Sequence, residues 1–444
     1  MAPGQPRRRR GIARLNTIGV VGLGYVGLTL AVALARKGFV VHGAELSARV
    51  RATLATGRPH LFEPGLDEGL ARWLGTRIHV AEALPAAGVD AAIVCVSTPV
   101  DPATNRPQLE NLKSAARHVA ERAREDTLVI VRSTVPVGAS RAIVLPELAA
   151  RLPAPRLAMA PERTIQGQAL RELEELPQVV GGLDAASAEA AVALFGRLAR
   201  RVVRVSSLEA AELVKLVNNC HTDLIYGYGN EVALLAERWG LDPLEVIQAA
   251  NLDYPRPDLS KPGFVGGGCL SKDPYILLSA AEAAGYAPAL VGAARRLNEA
   301  LPLRVAERVI ALIRRARGSA EGARLAVLGW AYKGWPPTDD MRGAPVTPML
   351  PLFRAAGLEL RGHDYLVAPE VIAGLGASPL ALDAAVAGAD AVLITMNHPE
   401  YAKLDLAALL PTLRRPAVVY DAWRILDEEA VRQAGVGYAA LGYG

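Results

Sequence analysis

Cysteine is scarce: Cys95, Cys220 and Cys269 are the three in 444 residues, widely separated and odd in number. That excludes a disulfide framework and the paired spacing of a zinc site; no metal is expected, and the setting is expected to be a reducing cytoplasm. No run of about 18 uninterrupted apolar residues occurs, so no membrane-spanning helix is expected. Aromatic residues make up only 5% of the chain while Ala, Leu and Val abound, which favours helices packed on sheets. Excess charge is small as well, a formal +4, and Arg7 to Arg10 supply four positive charges in one run. That run lies in a Pro- and Gly-containing leader, residues 1–14, expected to be a solvated, disordered tail rather than a nucleic-acid or membrane contact. No apolar h-region follows it, so it is not read as a secretory signal.

What is present is typical of a soluble globular chain, 51% hydrophobic and 21% charged. The length implies two or three domains. NTIGVVGLGYVGLTLAVALARKGFVVHGAEL, residues 16–46, reads as an apolar strand, a glycine turn, an Ala/Leu-rich helix ended by Gly38 and a second strand ending at Glu45. Further strands are expected at 90–96 and 127–131, and the alternation implies a parallel, doubly wound sheet. From Ser206 a long proline-free stretch predicts one helix, followed by helices at 243–251 and about 274–299. Strands and helices resume near 323, with a helix near 346–356. The organisation expected is a leader, 1–14; a dinucleotide-binding Rossmann domain, 15–205; a helical central domain, 206–300; and a second Rossmann-like domain, 301–444.

In GLGYVG, Gly22, Gly24 and Gly27 permit a tight turn, and with Tyr25 and Val26 they open a helix whose free N–H groups and dipole favour a pyrophosphate. Glu45, ending the second strand, stands where an acid holds the adenosine ribose hydroxyls. It would repel a 2′-phosphate, so NAD is expected rather than NADP. Thr98 in STP, with Ser133 and Thr134 in STVPVG, follows strands of the same sheet; these hydroxyls either reach the cofactor or cap helices.

In KPGFVGGGCLSKDPY, residues 261–275, three glycines let the chain bring Cys269 close to a substrate, with Lys272 as a cation and Asp273 as a carboxylate nearby. A nucleophilic thiol needs such neighbours; Cys95, in a strand, and Cys220, on the long helix, read as packing residues. Lys215 and Asn219 share a helix face at i, i+4 spacing, beside Glu212. Glu162 in APERTIQG ends a strand and is either a loop salt bridge or a general base.

The ordered motifs GLGYVGL, FEPGL, VCVSTPV, STVPVG, APER, AELVKLVNN, NEVALLAERWG, GGGCLSKDP, LGWAYK, TDDMRGAP and VVYDAWRIL resemble the nucleotide-sugar 6-dehydrogenases, that is, the UDP-glucose, UDP-N-acetylhexosamine and GDP-mannose dehydrogenases. The resemblance covers nearly the whole chain after the leader. It implies a four-electron oxidation of a sugar C6 alcohol to the carboxylate, with two hydrides passed to NAD+. Cys269 would hold the carbon as thiohemiacetal and then thioester. Lys215 and Asn219 would stabilise the oxyanion, Glu162 and Asp273 would position or deprotonate water, and Lys272 would act near cofactor and thiolate. By the same resemblance Arg163, Phe264, Gly266, Gly267 and Lys333 contact the substrate, Arg342 reaches the cofactor, the C-terminal domain holds the UDP-sugar, and the long helix forms a homodimer. Phe264 and the Lys272–Asp273 pair look like the UDP-glucose branch, so UDP-glucose to UDP-glucuronate, for polysaccharide or glycoside synthesis, is the preferred expectation. APER followed by QG, and DPY after the cysteine, look like the N-acetylhexosamine branch (ManNAc or GlcNAc). Gly268 stands where many members have His or Ser, and Trp423 where many glucose-type members have Arg. Two other classes stay in view: a two-electron β-hydroxyacid dehydrogenase, which needs no cysteine, and a nucleotide-sugar binding protein without chemistry.

Overall fold

The computed structural model describes residues 15–254 and 259–444; the Arg-rich leader lies outside the described residues. Two compact units result, one ending at Lys215 and one running from Leu216 to Gly444.

The first unit is a single sheet of β1 (Thr17–Val21), β2 (Val40–Ala44), β3 (Ile78–Ala81), β4 (Ala91–Val94), β5 (Leu128–Val131), β6 (Arg156–Met159), β7 (Gln178–Gly182) and β8 (Val202–Arg204). Their spatial order is β3-β2-β1-β4-β5-β6-β7-β8. The pairings from β3 through to β6 are parallel, and β7 runs antiparallel to β6. β4 and β5 are buried along their whole length, which is why they read as unbroken apolar runs rather than alternating ones. Helix α1 (Tyr25–Arg36) is buried from Gly27 through Ala35, as a helix apolar on all sides must be. Chain order reverses between β1 and β4, the position at which doubly wound sheets bind ligands.

The proline-free stretch forms one helix, α2 (Leu208–Arg238), 31 residues long. The single helix expected at about 274–299 is two: α4 (Asp273–Ala283) and α5 (Ala289–Arg317), after a one-turn α3 (Gly267–Leu270). Gly285, at φ 78°, turns the chain out of α4, and Pro288 sits at the N-cap of α5. Apolar periodicity carries across this break; only the Gly–Pro punctuation marks it. α5 continues to Arg317 and stops at Gly318 in the left-handed conformation.

The second sheet comprises β9 (Arg324–Leu328), β10 (Glu359–His363), β11 (Ser378–Pro379), β12 (Ala391–Ile394), β13 (Val418–Asp421) and β14 (Gly437–Ala440). Its order is β11-β10-β9-β12-β13-β14, parallel throughout. Its core joins Trp330, Phe353 and Tyr401 to Leu301, Val305 and Val309 of α5. Among the described residues no helix is long and apolar enough to cross a membrane, and no group of three His, Cys, Asp or Glu is placed to hold a metal ion.

Candidate functional site

The glycine turn lies between β1 and α1. Gly22 has φ 88°, and a Cβ on Gly27 would lie 1.9 Å from the Gly22 carbonyl oxygen. Both are therefore required by the turn itself. Gly24, exposed at the N-cap of α1, differs: a Cβ there would meet nothing within 4 Å. Among the described residues nothing demands glycine at that position, whereas a diphosphate approaching the helix start would. Glu45 accepts hydrogen bonds from the N–H of Leu23 at 2.9 Å and of Ser47 at 2.8 Å. Each carboxylate oxygen keeps a lone pair for a ribose hydroxyl, so these residues fit NAD. Tyr25 bonds Glu63, a residue the sequence reading did not single out, which also takes the N–H of Gly167 and of Ala169, each at 2.7 Å. Val26 is half-buried beside it.

Thr98 and Ser133 neither cap helices nor stand free. Thr98 Oγ1 donates to the carbonyl of Thr134 at 2.6 Å and Ser133 Oγ to that of Val96 at 2.7 Å, tying the loops after β4 and β5 together.

Glu162 follows β6. Its Oε2 accepts from Arg132 Nε at 2.9 Å and Nη2 at 2.5 Å; its Oε1 accepts from the N–H of Arg163 at 2.7 Å and of Thr164 at 2.9 Å. Burial pushes the carboxyl pKa upward, but the Arg132 guanidinium and the two N–H groups outweigh it and hold Glu162 below the usual range. With four bonds accepted, Glu162 ties its loop to Arg132 through a buried ion pair. Arg132 was missed by sequence reading, having no local signal. Arg163 directs a guanidinium N–H to the carbonyl of Pro177 at 3.3 Å.

In the second unit, Cys269 lies on α3 and is exposed, whereas Cys95 and Cys220 are buried and burial pushes each thiol up to about 12. The glycines before Cys269 are seats for other parts of the chain. A Cβ on Gly263 would lie 2.5 Å from the Trp423 ring, on Gly266 2.1 Å from the Gly343 carbonyl, on Gly267 2.7 Å from the Tyr332 ring, and on Gly268 2.7 Å from Arg342 Cζ. Gly266 and Gly267, expected at the substrate, thus first receive the loops after β9. Arg342 forms a forked pair with Asp340, Nη2 to Oδ2 at 2.6 Å, over Gly268. Phe264, expected to face substrate, is only 6% exposed and packs in the core around the second sheet.

Asp273, fully buried at the start of α4, accepts from Asn219 Nδ2 at 2.5 Å and from Lys272 Nζ at 2.7 Å. Three residues from the sequence reading, Asn219, Lys272 and Asp273, are therefore bonded to one another, and the carbonyl of Cys269 accepts the N–H of Lys272. Lys215, one turn before Asn219 on α2, is 6% exposed and has no ion-pair partner among the described residues, an unusual state for a lysine. Lys333 lies 5.5 Å from the Tyr332 ring centroid. A cavity of about 460 Å³ is lined by Lys261, Trp423, Arg424, Asn397 and Tyr226 among others; its mix of cations and aromatic faces suits a nucleotide.

Three models of the UDP-glucose/GDP-mannose dehydrogenase family match in order: the NAD binding domain over residues 16–199, the central domain over 209–300 and the UDP binding domain over 326–428. The chain is 33% identical to the UDP-N-acetyl-D-mannosamine dehydrogenase of Pyrococcus horikoshii, across 93% of this chain and 97% of that one. It is 27% identical to the UDP-glucose 6-dehydrogenase of Bacillus subtilis, across 96% and 93%. Among solved structures, the UDP-D-ManNAc dehydrogenase of P. horikoshii superposes with a TM-score of 0.85 at 31% identity, covering 96% of this chain and 99% of that one. A UDP-glucose dehydrogenase from Pyrobaculum islandicum gives 0.84 at 28%, covering 99% and 100%.

Proposed function

The chain belongs to the UDP-glucose/GDP-mannose dehydrogenase family, and on that premise we propose that it oxidises C6 of a UDP-N-acetylhexosamine to the uronate through Cys269. As a member it is an NAD-dependent nucleotide-sugar 6-dehydrogenase. UDP-glucose, preferred on the motifs around Cys269, becomes the second reading. The higher identity to a UDP-N-acetyl-D-mannosamine dehydrogenase, 33% against 27%, favours the N-acetylated sugar, and the P. islandicum likeness keeps UDP-glucose in the comparison.

Bound NAD+ supplies the hydride acceptor for both oxidations. The observation that carries the mechanism is the exposed Cys269 thiol on a one-turn helix, four residues before a buried Asp273 that accepts from both Asn219 and Lys272. Cys269 adds to the C6 aldehyde, and capture as a thiohemiacetal divides a four-electron oxidation into two easier ones. Lys215 and Asn219, one helical turn apart, stabilise the oxyanion; the lack of an ion-pair partner leaves the Lys215 ammonium available. Lys272 pairs with Asp273 at 2.7 Å, and near the thioester this carboxylate orients the hydrolytic water. The bonds that Glu162 already accepts give it the part of an anchor, with water activation left to Asp273. Lys333 and the cavity beside Trp423 take the diphosphate and the base.

Homodimerisation through α2 is part of the same reading. Val217, Ile225, Tyr228 and Leu235 lie exposed along the helix at 39–55%, an apolar stripe at helical spacing that water does not favour.

The test is turnover of purified protein with UDP-ManNAc, UDP-GlcNAc and UDP-glucose side by side. Two NADH per sugar with an N-acetylated substrate preferred is expected. One NADH with free aldehyde accumulating, or full turnover by Cys269→Ala, would overturn the covalent route, and preference for UDP-glucose would overturn the sugar assignment.

A further inference from the structure

The α2 face that carries Asn219 continues with Asp223, Gly227 and Asn230, each three or four residues on. Asp223 and Asn230 are 1% and 0% exposed, and they meet two equally buried residues of α5, Arg295 and Asn298. Arg295 Nη1 donates to Asp223 Oδ1 at 2.7 Å; Asn298 Nδ2 donates to the same oxygen at 3.0 Å and to the Asp223 carbonyl at 2.9 Å. Asn230 Nδ2 donates to Asn298 Oδ1 at 2.9 Å. Gly227 lets the helices meet: a Cβ there would lie 3.2 Å from Ala294 Cβ and 3.4 Å from Asn298 Nδ2.

This network ends on the backbone of the cysteine loop, on both sides of Cys269. Asn230 takes Gly263 by both its N–H, at 2.8 Å, and its carbonyl, at 3.0 Å. Arg295 donates to the carbonyl of Leu270 at 2.8 Å and of Val265 at 3.5 Å. We propose that Asp223, Asn230, Arg295 and Asn298 are positioning residues that set the register of the loop 263–270, and with it the Cys269 thiol, against the α2 face bearing Asn219.

A buried ion pair adds little stability over apolar residues of the same volume. What these four groups add is directional bonding to loop carbonyls, which apolar packing does not supply. The face of α2 thus acts as a ruler. Asn219 grips Asp273, Asp223 reaches Leu270 and Val265 through Arg295, and Asn230 grips Gly263, in chain order along one helix.

The proposal rests on Cys269 as nucleophile, and the experiment separates the two. Asn230→Ala leaves the Arg295–Asp223 pair intact and is expected to fold; Arg295→Lys keeps the charge but loses the fork. In each variant, hydrogen exchange of amides 263–270 is expected to accelerate while the two sheets stay protected. The kcat is expected to fall about 100-fold, the cost of roughly 1 Å of misplacement, with KM for the nucleotide-sugar and NAD within about threefold, a split that a purely structural role would not produce. Unchanged loop exchange, or faster exchange with kcat intact, would overturn the proposal. Cys269→Ala that still turned over would sink the thiol reading alone. The positioning claim would still be decided by Asn230→Ala, because the same loop leads into Lys272 and Asp273.

Discussion

Replacing Glu162 by glutamine removes one charge from a pair in which the Arg132 side chain is 0% and the Glu162 side chain 9% exposed. Glutamine retains an oxygen for the N–H groups of Arg163 and Thr164, but turns an NH2 toward a guanidinium that only donates. Leaving one member of a buried pair uncompensated costs about 3–5 kcal/mol. For a unit of about 200 residues that corresponds to a fall in melting temperature of roughly 6–20 °C. The folded pKa of Glu162 is lowered, by Arg132 and backbone N–H groups that overcome the opposing effect of burial. Its contribution to stability is therefore fully present above the unfolded glutamate value, about 4.3, and disappears as pH falls through the lower folded value. Urea unfolding followed by circular dichroism at pH 7 and in acid is the assay. The gap between wild type and Glu162→Gln should be full at neutral pH and close in acid. Arg132→Met combined with Glu162→Leu should recover most of the loss, since apolar replacement of a buried pair is close to neutral. A Glu162→Gln variant within about 1 kcal/mol of wild type at pH 7, yet with kcat reduced by about 100-fold or more, would refute the anchor and restore the general base.

Gly24→Ala meets open space, so its stability should stay within about 0.5 kcal/mol of wild type while NAD affinity, by calorimetry, falls about tenfold or more; Gly27→Ala meets the Gly22 carbonyl and should lose about 1–3 kcal/mol. Gly268→Ser pushes on Arg342, and because the two touch, a double-mutant cycle with Arg342→Ala in kcat/KM should show coupling of at least about 0.5 kcal/mol; additive effects would mean that Gly268 acts on the sugar instead. Tyr228→Glu with Leu235→Glu should give a monomer by light scattering if α2 forms the dimer, and an unchanged mass would exclude that face.

Much of the molecule was legible from residue order because it is decided locally. Short apolar runs, the glycines that punctuate them and a long proline-free stretch placed β1, α1, β2 and α2, since each of these signals acts on the backbone locally. The turn at Gly22 to Gly27 was legible for the same reason: positive φ and a close carbonyl demand glycine wherever the fold sits. The break at Gly285 to Pro288 was written in the chain too, but apolar spacing on either side masked it.

What residue order left open was decided by distance in sequence. Arg132 and Glu162 are 30 positions apart and Asp223 and Arg295 are 72 apart, so no local pattern announces either pair, and the cost of burying each charge is visible only once both are in place. KPGFVGGGCLSKDPY makes the division clear. Its composition marked Cys269 as unusual and its motifs named a chemistry, yet the glycines read there as room for a substrate. Folding gave them other neighbours, Trp423, Gly343, Tyr332 and Arg342, because a close-packed interior has no space for a Cβ where another part of the chain already lies.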